Sequence, residues 1–436
     1  MTRCRVGGAD QFAVPLLDRL DAFYCRDGGM RGREIVDHLI TEDAVGPDER
    51  DTDTRLPDGL QHRLGGHAVR LHERRQRAMH CGRNRHLRLL ACLRLGFVGH
   101  TQSVRGLDTG PMRAIEVPVT GGPEVLTLVE KTDPAPAPGE VLIDVDAVGV
   151  NFRDIYLRNG SYAAPLPHIP GSEVAGVVRA VGEGVESLVP GDRVATPVAA
   201  WGYAESTTAP ADFTVKVPEG LSAEVAASTL LQGITAHYLL TSVYPVAAGD
   251  TVLVHAGAGG MGLLLTQWAT HRGVRVITTV SSAAKEKLSR AAGAAEVLPY
   301  PDPEDPGEFE ARIKELTAGE GVAVAYDGVG KSTFEASLAA VRVRGLIALY
   351  GAASGQVPPF DPQRLTAKSA VLTRPTMGHF IRTPEEFAWR AGDVLDLVSR
   401  GTLEIIVGAS YPLDRATQAH RDLEARTTTG SVVLIP

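Results

Sequence analysis

Cysteine is scarce and unevenly placed: the chain of 436 residues has four, Cys4, Cys25, Cys81 and Cys92, and none beyond. A disulfide framework is thereby excluded after Cys92, and so are the clustered thiolates from which structural zinc sites are built. The four never fall in a C-x-x-C spacing, and His80-Cys81 is one adjacent pair without a second at zinc-site distance. Long hydrophobic runs are missing as well. No stretch of 18 apolar residues occurs, so the sequence offers no transmembrane helix. Hydrophobic residues at 44% and charged residues at 22% exclude a collagen, a coiled coil and a wholly disordered chain. The length predicts two or three domains.

Residues 1–111 lack lysine altogether. They carry 18 arginines against 15 acids, whereas the rest of the chain carries 26 basic against 37 acidic residues. Between Leu60 and His100, nine arginines and six histidines meet a single acid, Glu73. Several readings stand side by side. Clustered guanidinium groups suit a nucleic-acid-binding arm. An arginine-rich, acid-poor stretch suits a targeting segment, although the acidic run Glu42 to Asp58 precedes it. Arginine without lysine is also what a nucleotide composition bias produces in sequence lying ahead of a start at Met112. The expectation is an extension of unknown function, disordered, separately folded or not native. Helices are permitted near Val14 to Tyr24 and Ile35 to Ile40.

From Met112 the pattern is that of an α/β enzyme. Val141 to Val150 alternates apolar and polar residues as a half-buried strand does, and Glu173 to Val181 and Arg193 to Thr196 follow between Gly and Pro turns. Short strands at this spacing predict a compact β-barrel. From Ala223 to Tyr244 the pattern is helical; beyond it, strand, glycine turn and helix repeat. Strands are predicted at Thr251–His255, Arg275–Val280, Glu296–Leu298, Val322–Tyr326, Gly345–Leu349 and Ala370–Thr373, with helices between them. That alternation predicts a doubly wound parallel sheet. A helix at Pro384–Ser399 and closing strands up to Val432–Ile435 then return to the first domain. The expected division is 112–235 with 375–436 for the barrel and 236–374 for the inserted sheet domain.

The most informative motif is Gly257-Ala-Gly259-Gly260-Met261-Gly262, which directly follows the apolar strand Thr251 to His255 and opens a helix. In that context G-x-G-x-x-G is a dinucleotide fingerprint. Gly257 is expected to permit the tight turn, Gly259 to let backbone approach a pyrophosphate, and Gly262 to let helix pack on strand. Backbone N–H groups and the helix dipole then face the phosphates. The second strand ends in Val280-Ser281-Ser282-Ala-Ala-Lys285, with no acid before Glu286 to hold a ribose 2′-hydroxyl. Ser281, Ser282 and Lys285 suit a 2′-phosphate, hence NADPH; the plainer alternative is that Ser282 caps the next helix and Lys285 is solvated.

In these motifs the chain from Met112 to Pro436 resembles the quinone oxidoreductase, or zeta-crystallin-like, family. That family is a zinc-free branch of the medium-chain dehydrogenases/reductases. The resemblance is carried by Gly249-Asp250 through Gly262 with Gln267, by Asn151-Phe-Arg-Asp154-Ile-Tyr156, and by Pro170-Gly-Ser172-Glu173. It continues in Leu231-Gln232-Gly233, Tyr326-Asp-Gly-Val329-Gly330, Thr373-Arg374-Pro375 and Thr429-Gly-Ser431. It implies a GroES-like catalytic barrel around a Rossmann domain, NADPH in the cleft between them, a homodimer, and a chain beginning near Met112. By the same resemblance Asn151 and Tyr156 are expected near the nicotinamide, Lys285 near the 2′-phosphate, and Tyr300, Val329, Tyr350 and Arg426 along the cofactor cleft. Ser281 and Ala352 depart from residues common in relatives, glycine and asparagine respectively.

Zinc relatives carry a cysteine where Asn151 stands and a histidine–glutamate pair where Ser172-Glu173 stands, so a metal-free site is expected. Without a Lewis acid an alkoxide lacks stabilisation, whereas an electron-poor quinone needs little beyond positioning and the hydride donor. Tyr162 is the expected proton donor or substrate-facing group, its alternative being an aromatic packed on the barrel. Asn151, Gln232 and Arg374 complete the candidate catalytic set. Asp154 and Glu173 are expected to be structural partners of nearby arginines. An enone or enoyl reductase is the second enzymatic reading, and a non-enzymatic nucleotide- or RNA-binding protein the third. The acidic body after Met112 argues against nucleic acid. No membrane partner and a cytoplasmic location are expected.

Overall fold

The computed structural model describes residues 110–436, so the expectations placed on the arginine-rich extension lie outside the described residues. Among the described residues the strands form three sheets. β1 (Pro111–Glu116) and β2 (Thr127–Thr132) make an antiparallel pair. The barrel sheet is built from β3 (Glu140–Val150), β4 (Glu173–Val181), β5 (Arg193–Thr196), β6 (Ser206–Pro210) and β7 (Val215–Lys216). The parallel sheet follows, from β8 (Thr251–Val254), β9 (Arg275–Val280), β10 (Glu296–Pro299), β11 (Val322–Asp327), β12 (Val341–Leu349) and β13 (Val371–Thr373). β14 (Val407–Pro412) and β15 (Ser431–Ile435) return to the barrel, where β15 pairs antiparallel with β3.

The parallel sheet has the order β10-β9-β8-β11-β12-β13. Its direction of winding reverses between β8 and β11, so a crevice opens at the C-terminal ends of those strands, the general ligand position in this architecture. β11 is buried along its whole length, as a strand covered by helices on both faces must be.

Helices, in chain order, are α1 (Phe152–Arg158), α2 (Ala223–Ala226), α3 (Leu230–Tyr238), α4 (Gly260–His271), α5 (Ala283–Ala291), α6 (Pro306–Leu316), α7 (Phe334–Ala340), α8 (Pro384–Ser399) and α9 (Ala416–Glu424). The single helical stretch expected from Ala223 to Tyr244 is broken. α2 ends where the Thr229 hydroxyl donates to Val225 O, and after α3 the chain widens into a π-turn at Leu239–Val243. Hydroxyls that bond the preceding turn give the backbone such local alternatives. None of the described helices is long and apolar enough to cross a membrane.

Leu413, Ala416 and Ala419, at and just before the start of α9, pack with β3, β4 and β15 in the barrel core. α8 packs Phe387, Ala391 and Val394 into a core shared by α3, β8 and β11 with Ala147, Ala175 and Ala195 of the barrel strands, and the Phe387 ring lies 5.4 Å from that of Phe213. Gly233 permits that contact: a Cβ there would lie 2.5 Å from Val394 Cγ1.

Candidate active site

A cavity of about 900 Å³ lies in the crevice, walled on one side by β3, α1 and the Tyr162 loop and on the other by the turn after β8 and the ends of β9, β11 and β12. It gathers Asn151, Tyr156, Tyr162, Gln232, Gly259, Gly260, Met261, Gly262, Ser281, Lys285, Tyr300, Val329, Tyr350, Arg374 and Arg426. Of the candidate catalytic and cofactor-binding residues read from sequence, Gly257 and Ser282 stand outside it.

Both exceptions have a physical reason. The left-handed position in the turn is taken by Ala256, with φ 59°, and not by Gly257. Gly257 is needed for packing instead, because a Cβ there would lie 2.5 Å from Thr278 Cβ and 2.8 Å from Ser289 Oγ. Ser282 is the N-cap of α5, its hydroxyl accepting from Lys285 N at 3.3 Å. The plainer alternative therefore describes Ser282, while Lys285 is not simply solvated: its Nζ reaches across the crevice to Arg426 O at 2.6 Å. Burial, with the charge of Arg426 beside it, pulls the Lys285 pKa down. Lys285 and Arg426 thus place two cations on this end of the cavity.

The glycines of the turn serve close approach. A Cβ on Gly262 would sit 2.2 Å from Ala256 O, and one on Gly260 would sit 2.1 Å from Gln232 Oε1. The N-terminus of α4 has no acidic side chain in its first turn and no side-chain cap, so its free N–H groups and dipole are left to an anion. β9 ends at Val280, and the exposed Ser281 that follows it has no acid beside it to compete. This donor set fits a dinucleotide carrying an extra phosphate.

At the other end the cavity is aromatic and apolar, with Tyr156, Tyr162, Tyr238, Met377 and Ile381. The rings of Tyr156 and Tyr162 lie 5.1 Å apart. Tyr156 Oη accepts from Ala352 N at 2.8 Å, and burial pushes its pKa up to about 12. Arg374 donates through Nη1 to Leu349 O and Gly351 O at 3.0 and 3.1 Å, leaving Nη2 to reach Tyr162 Oη at 3.5 Å. Arg374 is thus anchored on the strand ends and spans to the barrel side.

Asp154 and Glu173 have no arginine ion-pair partner among the described residues, contrary to expectation. They enclose Asn151: its backbone N–H donates to Asp154 Oδ2 at 2.9 Å and its Nδ2 donates to Glu173 Oε2 at 2.9 Å. Burial pushes Asp154 up to about 6. Tyr238, Thr235, Met377 and Ile381 were not foreseen, because α3 and the segment after Arg374 carry no local motif that separates a cavity wall from a core face. A buried network, also unforeseen, lies behind α1: Arg158 Nη1 to His420 Nδ1 at 3.0 Å, His420 Nε2 to Tyr203 Oη at 2.8 Å, and Arg158 to the Glu424 carboxylate.

Two family profiles match the chain, one described as alcohol dehydrogenase GroES-like domain over residues 137–243 and one as zinc-binding dehydrogenase over residues 260–395. A quinone oxidoreductase of Pseudomonas aeruginosa is 41% identical over 327 residues, which span 74% of this chain and 99% of that protein. A 2-haloacrylate reductase of a Burkholderia species is 37% identical over 329 residues, 72% of this chain and 96% of that protein. A mycobacterial protein solved in complex with NADPH superposes with a TM-score of 0.73 at 59% identity, covering 74% of this chain and all of the other.

Proposed function

The chain belongs to the quinone oxidoreductase family, and on that premise we propose that it reduces a quinone with NADPH and without a metal ion. The observation that carries this reading is one cavity with two unlike ends: an anion-receiving end built from the α4 N-terminus, Lys285 and Arg426, and an aromatic end built from Tyr156, Tyr162 and Tyr238. The glycine turn from Gly259 to Gly262, with Ser281, Lys285, Tyr300, Val329, Tyr350 and Arg426, would hold the cofactor. When bound, NADPH supplies a hydride, and a quinone that takes up the hydride and one proton becomes a hydroquinone.

The chain's own side chains do the remaining work. Asn151 and Gln232 fix the polar wall between the two ends. Arg374, held by two carbonyls, keeps the Tyr162 hydroxyl at the aromatic end, where we assign it to deliver the proton. Tyr238, Met377 and Ile381 exclude water from the acceptor. A metal-free mechanism is supported by what occupies the positions of zinc ligands in relatives. Asn151 and Ser172 are poor zinc ligands, and both Glu173 oxygens are already taken, by Asn151 Nδ2 and by Leu231 N at 2.8 Å.

We assign residues 112–235 with the closing segment to the catalytic half and 236–374 to the nucleotide half. A homodimer and a cytoplasmic location belong to the same reading. Support for the dimer comes from β13, at the edge of its sheet, and from the exposed side chains of Val343 and Val371 on β12 and β13. The deciding experiment is a steady-state assay of NADPH oxidation with a panel of quinones and of enones and haloacrylates. Turnover of quinones to hydroquinones is expected; saturation of the C=C bond without quinone turnover would replace this reading with the enone reductase one, which the likeness to a 2-haloacrylate reductase favours.

A further inference from the structure

A chain of buried polar side chains runs along the cavity wall from the barrel to the glycine turn. Asn151 Nδ2 donates to Glu173 Oε2 at 2.9 Å, Gln232 Nε2 donates to Asn151 Oδ1 at 3.4 Å, and Ser431 Oγ donates to Gln232 Oε1 at 3.3 Å. None of the four side chains belongs to a residue more than 8% exposed. The two middle links are amides, each a donor at one end and an acceptor at the other, and Ser431 is able to play either part. The whole chain therefore has two directions. In the direction just described Glu173 only accepts, as an ionised carboxylate does. If Glu173 carries a proton, its O–H donates to Asn151, both amides turn over, the Asn151 amide gives up its bond to Gly149 O at 3.4 Å, and Ser431 becomes the final acceptor.

We propose that Glu173 is a positioning residue for the reduction step: its protonation state sets the direction of this chain, and so decides whether Asn151 and Gln232 turn N–H or C=O toward the cavity. The proposal deepens the reductase reading and rests on it. The surroundings of Glu173 make both states reachable. Burial pushes Glu173 up to about 8 against the hydrogen bonds from Asn151 and Leu231, and the Asp154 carboxyl adds to the rise. Asp154, from α1, is the titratable group that acts on it; α3 presents the backbone N–H of Leu231, and β3 presents Gly149. A Cβ on Gly149 would lie 2.6 Å from Glu173 Oε2, so the glycine keeps the carboxyl in reach of Asn151. The switch between the two directions is expected as the pH passes about 8.

Glu173→Gln mimics the protonated state, one end accepting from Leu231 and the other donating to Asn151, while Glu173→Leu removes both links. Three readouts are needed over pH 5 to 10: quinone turnover, NADPH affinity by fluorescence titration, and the melting temperature of the ligand-free protein. The wild type should show an inflection near pH 8 in turnover and NADPH affinity that Glu173→Gln lacks. Glu173→Leu should lose roughly tenfold or more in kcat, much of it recovered in Glu173→Gln. Because the folded carboxyl holds its proton until about pH 8 and the unfolded one releases it near 4.5, wild-type stability should fall across that window relative to Glu173→Gln and stay parallel above it. Identical pH profiles of wild type and Glu173→Gln, or a Glu173→Leu variant as active as Glu173→Gln, would overturn the proposal. If Glu173→Leu does not fold, the comparison of wild type with Glu173→Gln still decides. If the wild type turns over no quinone, the reductase reading fails while the binding and melting profiles still test the switch.

Discussion

Lys285 shows how much one side chain is asked to do at this site. It contributes its backbone N–H to the cap of α5 and its ammonium to Arg426 O, so it is held at the crevice before any phosphate arrives. Charge-assisted hydrogen bonds of this kind contribute about 1.5–3 kcal/mol. Lys285→Ala should therefore weaken NADPH binding by about tenfold or more and leave NADH nearly untouched; a fluorescence titration with both nucleotides checks it, and equal losses would remove Lys285 from phosphate recognition. A second residue-scale effect concerns acid. Burial and the neighbouring Arg158 push the pKa of His420 down to about 3. The unfolded imidazole binds a proton near 6.5 and the folded one does not, so stability is complete above that pH and is lost as the pH falls toward 3. His420→Gln should flatten this loss in urea unfolding compared at pH 7 and pH 4.5. The position of such residues on the cavity wall was legible where a motif carries them, as at Gly262 or Lys285. Gly257 and Ser282 were legible as glycine and serine but not as to task, because neither the φ of Ala256 nor the position of Thr278 is written in the local pattern.

Among elements, α4 opens onto the cavity. It starts with three glycines in four positions, Gly259, Gly260 and Gly262, and two of them face atoms that would be closer than 3 Å to any Cβ. The turn Ala256–Gly259 is backbone and cannot yield as a flexible side chain does. Gly262→Ala should cost about 1–3 kcal/mol of stability, as overpacking does, and lower cofactor affinity in the same protein; a variant with wild-type melting and NADPH binding would show that the turn relaxes. The strands of the parallel sheet were readable because they are apolar runs closed by glycine turns. β1, β2, β6, β7 and β14 were not, since edge and half-exposed strands such as β2 and β14 show only partial burial and depend on partners far along the chain. The break between α2 and α3 escaped for a related reason: alanine and leucine favour helix on either side, and the place of α3 depends on contacts far along the chain, such as that of Gly233 with Val394.

On the scale of the whole molecule, the cavity draws its lining from Val150 to Val432 and from both halves. The Pseudomonas aeruginosa relative is matched over nearly its full length by 74% of this chain. Removal of residues 1–109 should accordingly leave NADPH affinity and quinone turnover within about twofold of the full chain. A larger loss would assign the extension a part in the reaction. The overall architecture was legible because a glycine fingerprint between alternating strands and helices admits few topologies.

The pairing of β15 with β3 has a consequence for how the protein is made. A ribosome releases β3 early, and its partner only after the entire parallel sheet has been synthesised. The nascent barrel thus waits with an open edge while the nucleotide half is already free to fold, which favours a sequential order of assembly. Slowing translation near the end of the message should lengthen that wait, and a chaperone that covers exposed strand edges would be needed most at that moment.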